Sequence, residues 1–183
     1  MEVYRIRNEE GFQDVMSDDD AFWRLTSSRA EALGDVVFPN CYISSPKDQR
    51  GNFFNIGSGE LLFDNTALLS LESVLQGCGE LHTVNVETIG TLFYYNNLQK
   101  IDALDIENTW WRKESDGSKK IILKHEFNAS KLATAPCLFA IPQNRFSKLL
   151  TVTGQEGISD DFYSVYNAVG LSGLKFEKLW STE

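Results

Sequence analysis

Three consecutive runs rich in β-branched and aromatic residues do most to limit how this chain can fold. The runs are LHTVNVET, TLFYYNNL and KIDALD; Gly90 lies between the first two, and the polar pair Asn96-Asn97 lies near the end of the second. Strands joined by such short turns are antiparallel neighbours, because a parallel pair needs a crossover of a dozen or more residues. The runs therefore predict three adjoining antiparallel strands.

Further strand patterns lie on both sides of this segment, and two helical patterns interrupt them. VYRIR and LLFD precede it, and KKIILKHEF, CLFAI, KLLTVT and LSGLKFEKLW follow it. Apolar residues at helical spacing predict helices over 65–77 and 159–169, capped by Asn65 or Thr66 and by Ser159. We therefore expect an α+β fold, in which a mostly antiparallel sheet of about six or more strands packs against these two main helices.

The length of 183 residues predicts a single domain over residues 1–183. Residues 1–58 are the less regular portion of that domain. Within them, SDDDAFWRLTSSRAEALG predicts an irregular helix or a loop with helical turns. FPNCYISSPKDQRGNFFNIGSGE fits either a long ordered loop or short edge strands, because proline and glycine interrupt its apolar runs. Residues 59–183 carry the clearer pattern.

The charge balance limits the classes of partner. The chain has 26 acids and 17 bases, a formal charge of −9, which repels phosphate backbones, so we expect no nucleic-acid ligand. The segment MEVYRIRNEE lacks the apolar core of a signal peptide, and no apolar run approaches about 18 residues. We therefore expect no membrane partner and a cytoplasmic location.

The residues that most often carry catalysis or bind metals are few. Cys41, Cys78 and Cys137 are odd in number and widely spaced, so we expect free, buried thiols and neither disulfides nor a zinc site. His82 and His125 are the only histidines, and each occupies a polar position of a predicted strand, where a structural role is the favoured interpretation. We expect no catalytic residue, no metal and no cofactor. A small hydrolase that uses His82 or His125 as its base is the alternative.

The segment KIDALDIENTWW places acids among aliphatic residues and ends in two tryptophans. Along a strand, Asp105 and Glu107 share a face while Asp102 points the other way, so the three do not converge on one catalytic cluster. We expect these acids to be structural, with Asp105 accepting backbone N–H bonds at a strand end or turn. Trp110 and Trp111 face opposite sides of a strand, so one can enter the core while the other stays partly exposed. The alternative is that the loop KESDG covers both.

The second part of the chain carries a series of motifs in a recognisable order. They are GELLFDNTALLSLESVLQGCGELHTVNVE, LFYYNNLQKIDALDIENTWW, CLFAI, LLTVT and SDDFYSVYNAVGLSGLKF. Their order resembles a bacterial immunity-protein family of polymorphic toxin systems, whose most specific patterns are "vDaLD" and "GLxGLxF". The resemblance covers about residues 59–176. The family pattern often has a Ser or Thr a few residues after its second Asp, here Thr109.

The resemblance implies a cytosolic protein that binds and neutralises a cognate secreted toxin by stoichiometric inhibition. The toxin would be encoded beside this chain, and the resemblance leaves both its activity and the oligomeric state of this chain open. A hydrolase and an adaptor for a secreted effector remain the alternative functions.

Clustered acids and aromatic residues are the candidate partner-binding residues. They are Asp18, Asp19, Asp20, Asp102, Asp105, Glu107, Trp110 and Trp111. An acidic surface attracts a basic toxin, so we expect fast, salt-sensitive association in which charge sets the association rate and buried aromatics set the dissociation rate. The alternative is that a charge of −9 serves solubility alone.

Overall fold

The computed structural model describes residues 1–27, 31–57, 60–113, 115, 117, 119–143 and 149–182. The strands in chain order are β1 (Glu2–Asn8), β2 (Val15–Met16), β3 (Tyr42–Ile43), β4 (Phe53–Phe54), β5 (Leu61–Phe63), β6 (Gly79–Val86), β7 (Gly90–Asn97), β8 (Trp110–Lys113), β9 (Lys119–Lys124), β10 (Leu138–Phe139), β11 (Leu150–Thr153) and β12 (Leu174–Ser181). The helices are α1 (Asp20–Thr26), α2 (Asn65–Leu75), α3 (Ala129–Leu132) and α4 (Phe162–Val169).

Two four-stranded antiparallel sheets form the centre of the fold. Sheet I has the strand order β10-β11-β1-β12, and sheet II has the order β4-β5-β7-β6. Strands β2 and β3 form one small antiparallel pair, and β8 and β9 form another. The predicted mixture of helices with mostly antiparallel strands is therefore confirmed. The predicted arrangement is not, because the described strands divide among four sheets and the described helices number four.

Alternating side chains on the strands divide the core into three clusters. In β5, Leu61 and Phe63 point into cluster 1, which lies between the two sheets and contains α2 and α4. Leu62 points into cluster 2, on the far face of sheet II. In β10, Leu138 belongs to cluster 1, and Phe139 belongs to cluster 3 on the far face of sheet I. The sheets therefore enclose the two longer helices, and clusters 2 and 3 lie at opposite ends of a layered stack.

Each outer cluster is closed by different elements. Helix α1 and the β2–β3 pair cover cluster 2, where Phe22 and Val15 are buried. Residues 101–109, the β8–β9 hairpin and α3 cover cluster 3, where Leu104 and Leu132 are buried. The stack thus ends in two covering layers of different composition.

The less regular N-terminal portion contributes to both sheets. Strand β1 pairs with both β11 and β12 inside sheet I, and β4 pairs with β5 in sheet II. Within the described residues, the segment 1–58 therefore supplies one strand to each of the two main sheets.

Three local predictions need correction. KIDALD is not a strand, and residues in this segment make only isolated bridges, Lys100 with Ala140 and Leu104 with Phe127. Helix α2 is capped by Asp64, whose carboxylate accepts a hydrogen bond from the N–H of Ala67 at 2.9 Å. The N-cap of α4 is Asp161 and not a serine. In the described ranges, no helix is long and apolar enough to cross a membrane.

Candidate functional site

The segment around Asp105 forms the base of the β8–β9 hairpin. The N–H of Asp105 donates to the carbonyl of Glu126 at 2.8 Å, and the N–H of Asn128 donates to the carbonyl of Ala103 at 2.8 Å. Ala103 and Leu104 are buried in cluster 3, which anchors this side of the hairpin in the core. The hydrophobic residues of the DALD segment therefore hold the hairpin on sheet I.

Asp105 organises a tight turn that leads into β8. Its carboxylate accepts hydrogen bonds from the backbone N–H groups of Glu107 and Asn108, both at 3.2 Å, and from the Asn108 side chain at 2.8 Å. The hydroxyl of Thr109 donates to the Asp105 carbonyl at 2.6 Å. Bonds from the Asn108 side chain and from the backbone of Asn108 and Glu107 lower the pKa of Asp105 below its ordinary value. The predicted role of Asp105 as an acceptor of backbone N–H bonds is confirmed.

The two tryptophans that follow this turn face opposite sides of β8. Trp110 is 65% exposed, whereas Trp111 is half-buried against cluster 3. The indole N–H of Trp111 donates to the carbonyl of Ile106 at 3.4 Å, which ties the hairpin to its preceding turn. This is the division between a packed and an exposed tryptophan that the strand geometry predicts.

Around Trp110 the outer side of the hairpin carries apolar and basic side chains together. Trp110 pairs with Lys124 and Arg112 with Ile121, and a bulge adds Leu123. Leu123 is 63% exposed and Ile121 is 40% exposed. The ammonium group of Lys124 lies 5.8 Å from the centre of the Trp110 ring, within range of a cation–π contact. We call these five residues, Trp110, Arg112, Ile121, Leu123 and Lys124, the hairpin face.

The acids predicted to join the tryptophans are distributed over the molecule. Asp18 accepts a hydrogen bond from the Tyr42 hydroxyl at 3.0 Å, and Asp19 caps α1 by accepting from the N–H of Ala21 at 2.7 Å. Asp20 begins the same helix. These three acids lie in the layer that covers cluster 2, at the end of the stack opposite the hairpin.

The acids near the hairpin are engaged locally. The carboxylate of Asp102 accepts a hydrogen bond from the Gln143 side chain at 2.6 Å, and its carbonyl accepts from Lys131 at 2.6 Å. Asp105 is bound within its own turn, and Glu107 is exposed in that turn. The eight candidate residues therefore do not form one surface.

Both histidines pack against aromatic rings. His82, in β6, lies near the rings of Phe38 and Tyr94, with its Nε2 atom 3.5 Å from the carboxylate of Glu80. His125 lies just beyond β9 and not within it. It is buried, and its ring stacks on Phe127 with centroids 5.9 Å apart. The prediction of a strand position is confirmed for His82 and wrong for His125.

The three cysteines are free thiols. Cys41 is buried, and burial raises its pKa to about 11. Cys78 and Cys137 are only partly buried, unlike the prediction. Burial is also the main cause that raises the pKa of Cys137 to about 12, and its thiol donates to the Val74 carbonyl at 2.9 Å. Within the described ranges, no group of three or more His, Cys, Asp or Glu side chains is arranged to hold a metal ion.

A groove between the end of α2 and the start of β6 was not expected from the sequence. Its volume is about 310 Å³, and its lining includes Leu69, Glu72, Leu75, Leu81 and Tyr95. Leu69 and Leu81 are both exposed at its rim. The sequence does place one apolar residue on the outer side of each of these two elements. Single exposed apolar residues are common on protein surfaces, however, so they do not predict a groove.

No protein-family model matches this chain, and no curated protein is significantly similar to it in sequence. The likeness to immunity proteins therefore stays a prediction based on the quoted motifs.

Proposed function

We propose that this chain is an immunity protein that binds a cognate secreted toxin and neutralises it by stoichiometric inhibition, with the hairpin face as the contact surface. The observation that carries the proposal is the side chain of Trp110, which is 65% exposed beside two exposed aliphatic residues. Tryptophan is enriched among the residues that dominate binding energy in protein interfaces. Adjacent exposed apolar side chains are typical of interaction surfaces, whereas single ones are ordinary.

The backbone that carries Trp110 is held in place by neighbouring contacts, which favours a role in protein binding. Trp111 packs on cluster 3 on the opposite side of β8, and the Asp105 turn fixes where the strand begins. A side chain held on a fixed backbone loses little conformational freedom on binding, so more of its contact energy appears as affinity.

The test uses the C-terminal domain of the secreted protein that the proposal expects to be encoded beside this chain. That domain is expressed from an inducible promoter in a laboratory bacterium, with and without this chain. Growth should stop without the chain and continue with it. Growth arrest in both cultures, with both proteins expressed and folded, would contradict the proposal.

The contact surface is tested with Trp110→Ala and a matched control, Trp23→Ala. Trp23 is also partly exposed, at 37%, but it lies on α1 at the other end of the stack. Trp110→Ala should raise the dissociation rate of the purified complex at least tenfold, which corresponds to about 1.4 kcal/mol. Trp23→Ala should leave the rate within about twofold of the original. Equal rates for the two variants would exclude the hairpin face as the main contact.

The hydrolase alternative makes the opposite prediction for the histidines. Replacing His82 and His125 together by Gln should preserve protection if the chain acts by binding, and should abolish it if either ring is a catalytic base. Thermal unfolding of the double variant provides the control, because His125 is buried. Loss of protection in a variant that is still folded would favour the hydrolase.

The adaptor alternative is tested in the native host. Deleting the gene for this chain should arrest growth if the chain is an immunity protein. An adaptor would instead be needed for export, so its deletion would lower the amount of secreted effector while growth continued.

A further inference from the structure

We infer that the region of the toxin that docks on the hairpin face is acidic. This inference depends on the proposed function and adds the chemistry of the contact. It concerns the local patch that touches the hairpin, so it applies whatever the net charge of the toxin.

The charge of the hairpin is opposite to that of the whole chain. Residues 110–124 contain five bases and two acids, hence a formal charge of +3, within a protein whose formal charge is −9. The other 168 residues therefore carry −12. The five bases are Arg112, Lys113, Lys119, Lys120 and Lys124.

Two of these bases are available to a partner. Arg112 and Lys113 are exposed, and neither forms an ion pair with any residue in the described ranges. Lys124 differs, because its ammonium group lies 2.5 Å from the carboxylate of Glu126 while also approaching the Trp110 ring. The hairpin face therefore combines apolar contact at Trp110 with positive charge at Arg112, and the exposed Lys113 adds a further positive charge at the end of β8.

Two of the neighbouring acids are engaged in contacts of their own. The carboxylates of Asp102 and Asp105 accept hydrogen bonds from Gln143 and from the Asp105 turn, respectively. Glu107 is the exposed acid of that turn. A partner patch that carries carboxylates beside an apolar pocket for Trp110 would complement the face in both charge and polarity.

The overall charge favours a local acidic patch over an extended polyanion. Nucleic acid or an anionic membrane presents negative charge over an area wider than the hairpin and is repelled by the remaining −12. At physiological salt, charges interact over about 8 Å, so a compact protein patch can contact the hairpin without approaching the acids at the far end of the stack. Trp and Arg are also both enriched in protein interfaces.

The test compares two double variants that change the net charge equally. Arg112→Glu with Lys113→Glu reverses the charge of two exposed hairpin bases. The control, Lys47→Glu with Arg50→Glu, reverses the charge of one exposed lysine and one exposed arginine in the segment before β4. Association with the toxin domain of the neighbouring gene is followed by stopped flow from about 20 to about 500 mM salt. The hairpin variant should associate at least tenfold more slowly than the control at the lowest salt, and this difference should shrink as salt is added.

Each contrary outcome has a distinct meaning. If the original chain protects cells and binds the toxin but the two double variants associate at equal rates, the proposed function survives and the acidic-patch inference is wrong. Faster association of the hairpin variant would show a basic patch and also overturn it. If the original chain neither protects nor binds, the proposed function fails first.

A membrane is tested as the other anionic partner. The chain is sedimented with vesicles of phosphatidylcholine alone and of phosphatidylcholine with about 30% phosphatidylglycerol. We expect no binding to either. Binding to the anionic vesicles that the hairpin variant abolishes and the control variant preserves would reassign the face to lipid.

Discussion

Two segments of this chain look alike in sequence but differ in which of their aromatic side chains are buried and which are exposed. One is DDDAFW, which leads into α1, and the other is DIENTWW, which leads into β8. In each, an aspartate carboxylate accepts backbone N–H bonds at the entrance, Asp19 for the helix and Asp105 for the turn. Yet the first segment covers its cluster with a buried phenylalanine, and the second presents Trp110 to solvent.

The difference comes from the backbone that follows each aspartate. Neighbouring side chains are about 100° apart around a helix, so Trp23 still contacts Phe22, with ring centroids 5.2 Å apart. Neighbouring side chains on a strand point to opposite faces, so Trp110 is directed away from the core that Trp111 joins. For two adjacent aromatic residues, the sequence therefore indicates which side chain is exposed only when the secondary structure is known.

The strongest test of this comparison removes the anchor of α1. Phe22 is 1% exposed within cluster 2, so Phe22→Ala should lower the free energy of unfolding by about 3–5 kcal/mol. The measurement is urea denaturation, with Trp23→Ala as the control, which should cost clearly less because Trp23 is partly exposed. Similar losses in the two variants would mean that α1 does not depend on the buried ring.

The hairpin should show the corresponding contrast at a smaller scale. Trp111→Ala removes a half-buried ring from cluster 3 and should lower the free energy of unfolding by about 2 kcal/mol. Trp110→Ala, measured in the same denaturation series, should change it by less than about 0.5 kcal/mol. A larger loss from Trp110→Ala would indicate that its ring serves the fold, and would weaken its assignment to a partner.

The helix cap at Asp19 should have a lesser effect. Asp19→Ala removes the acceptor for the N–H of Ala21 and should destabilise the protein by about 1 kcal/mol. Asp20→Ala is the control, since Asp20 lies in the first turn of α1, where its charge interacts favourably with the helix dipole, and Asp19 is the N-cap. An equal loss from both changes would assign the effect to charge and not to capping.

The contribution of Asp105 to the stability of the folded chain should depend on pH. The pKa of Asp105 is lowered in the folded chain, so its contribution to stability is present above its unfolded pKa of about 3.9 and is lost as pH falls through the folded value. The difference in Tm between the original chain and Asp105→Asn should therefore shrink below about pH 4. A difference that stays constant from neutral to acidic pH would mean that the ionised carboxylate does not hold the turn.

Local signals account for the parts of the fold that sequence analysis predicted correctly. The β6–β7 hairpin follows from two β-rich runs and from Gly90, whose φ of 85° suits a glycine in the turn. The two longer helices follow from their apolar spacing. The cap of α2 was misassigned because Asp64, Asn65 and Thr66 are adjacent residues that can all accept such bonds, and propensity does not choose among them.

The interpretation of KIDALD shows where local pattern fails. Its alternation resembles a strand, but a strand also needs a continuous partner, and here the pairing is limited to isolated contacts. The candidate site shares this limit. The exposure of one tryptophan could be predicted, but the pairing of Arg112 with Ile121 depends on a register shifted by bulges. The placement of basic and apolar side chains together on one face is therefore a property of the assembled hairpin.

The pairing of β1 has a consequence for how the chain folds. Sheet II is assembled from residues 53–97, so its strands can meet after short loop closures. In sheet I, β1 needs β11 and β12, which lie at the other end of the described chain. Closing so long a loop costs entropy before any pairing is gained, so sheet II and its helix should form first and sheet I last. The hairpin packs on sheet I through cluster 3. The hairpin face would therefore reach its final position only in the last folding step.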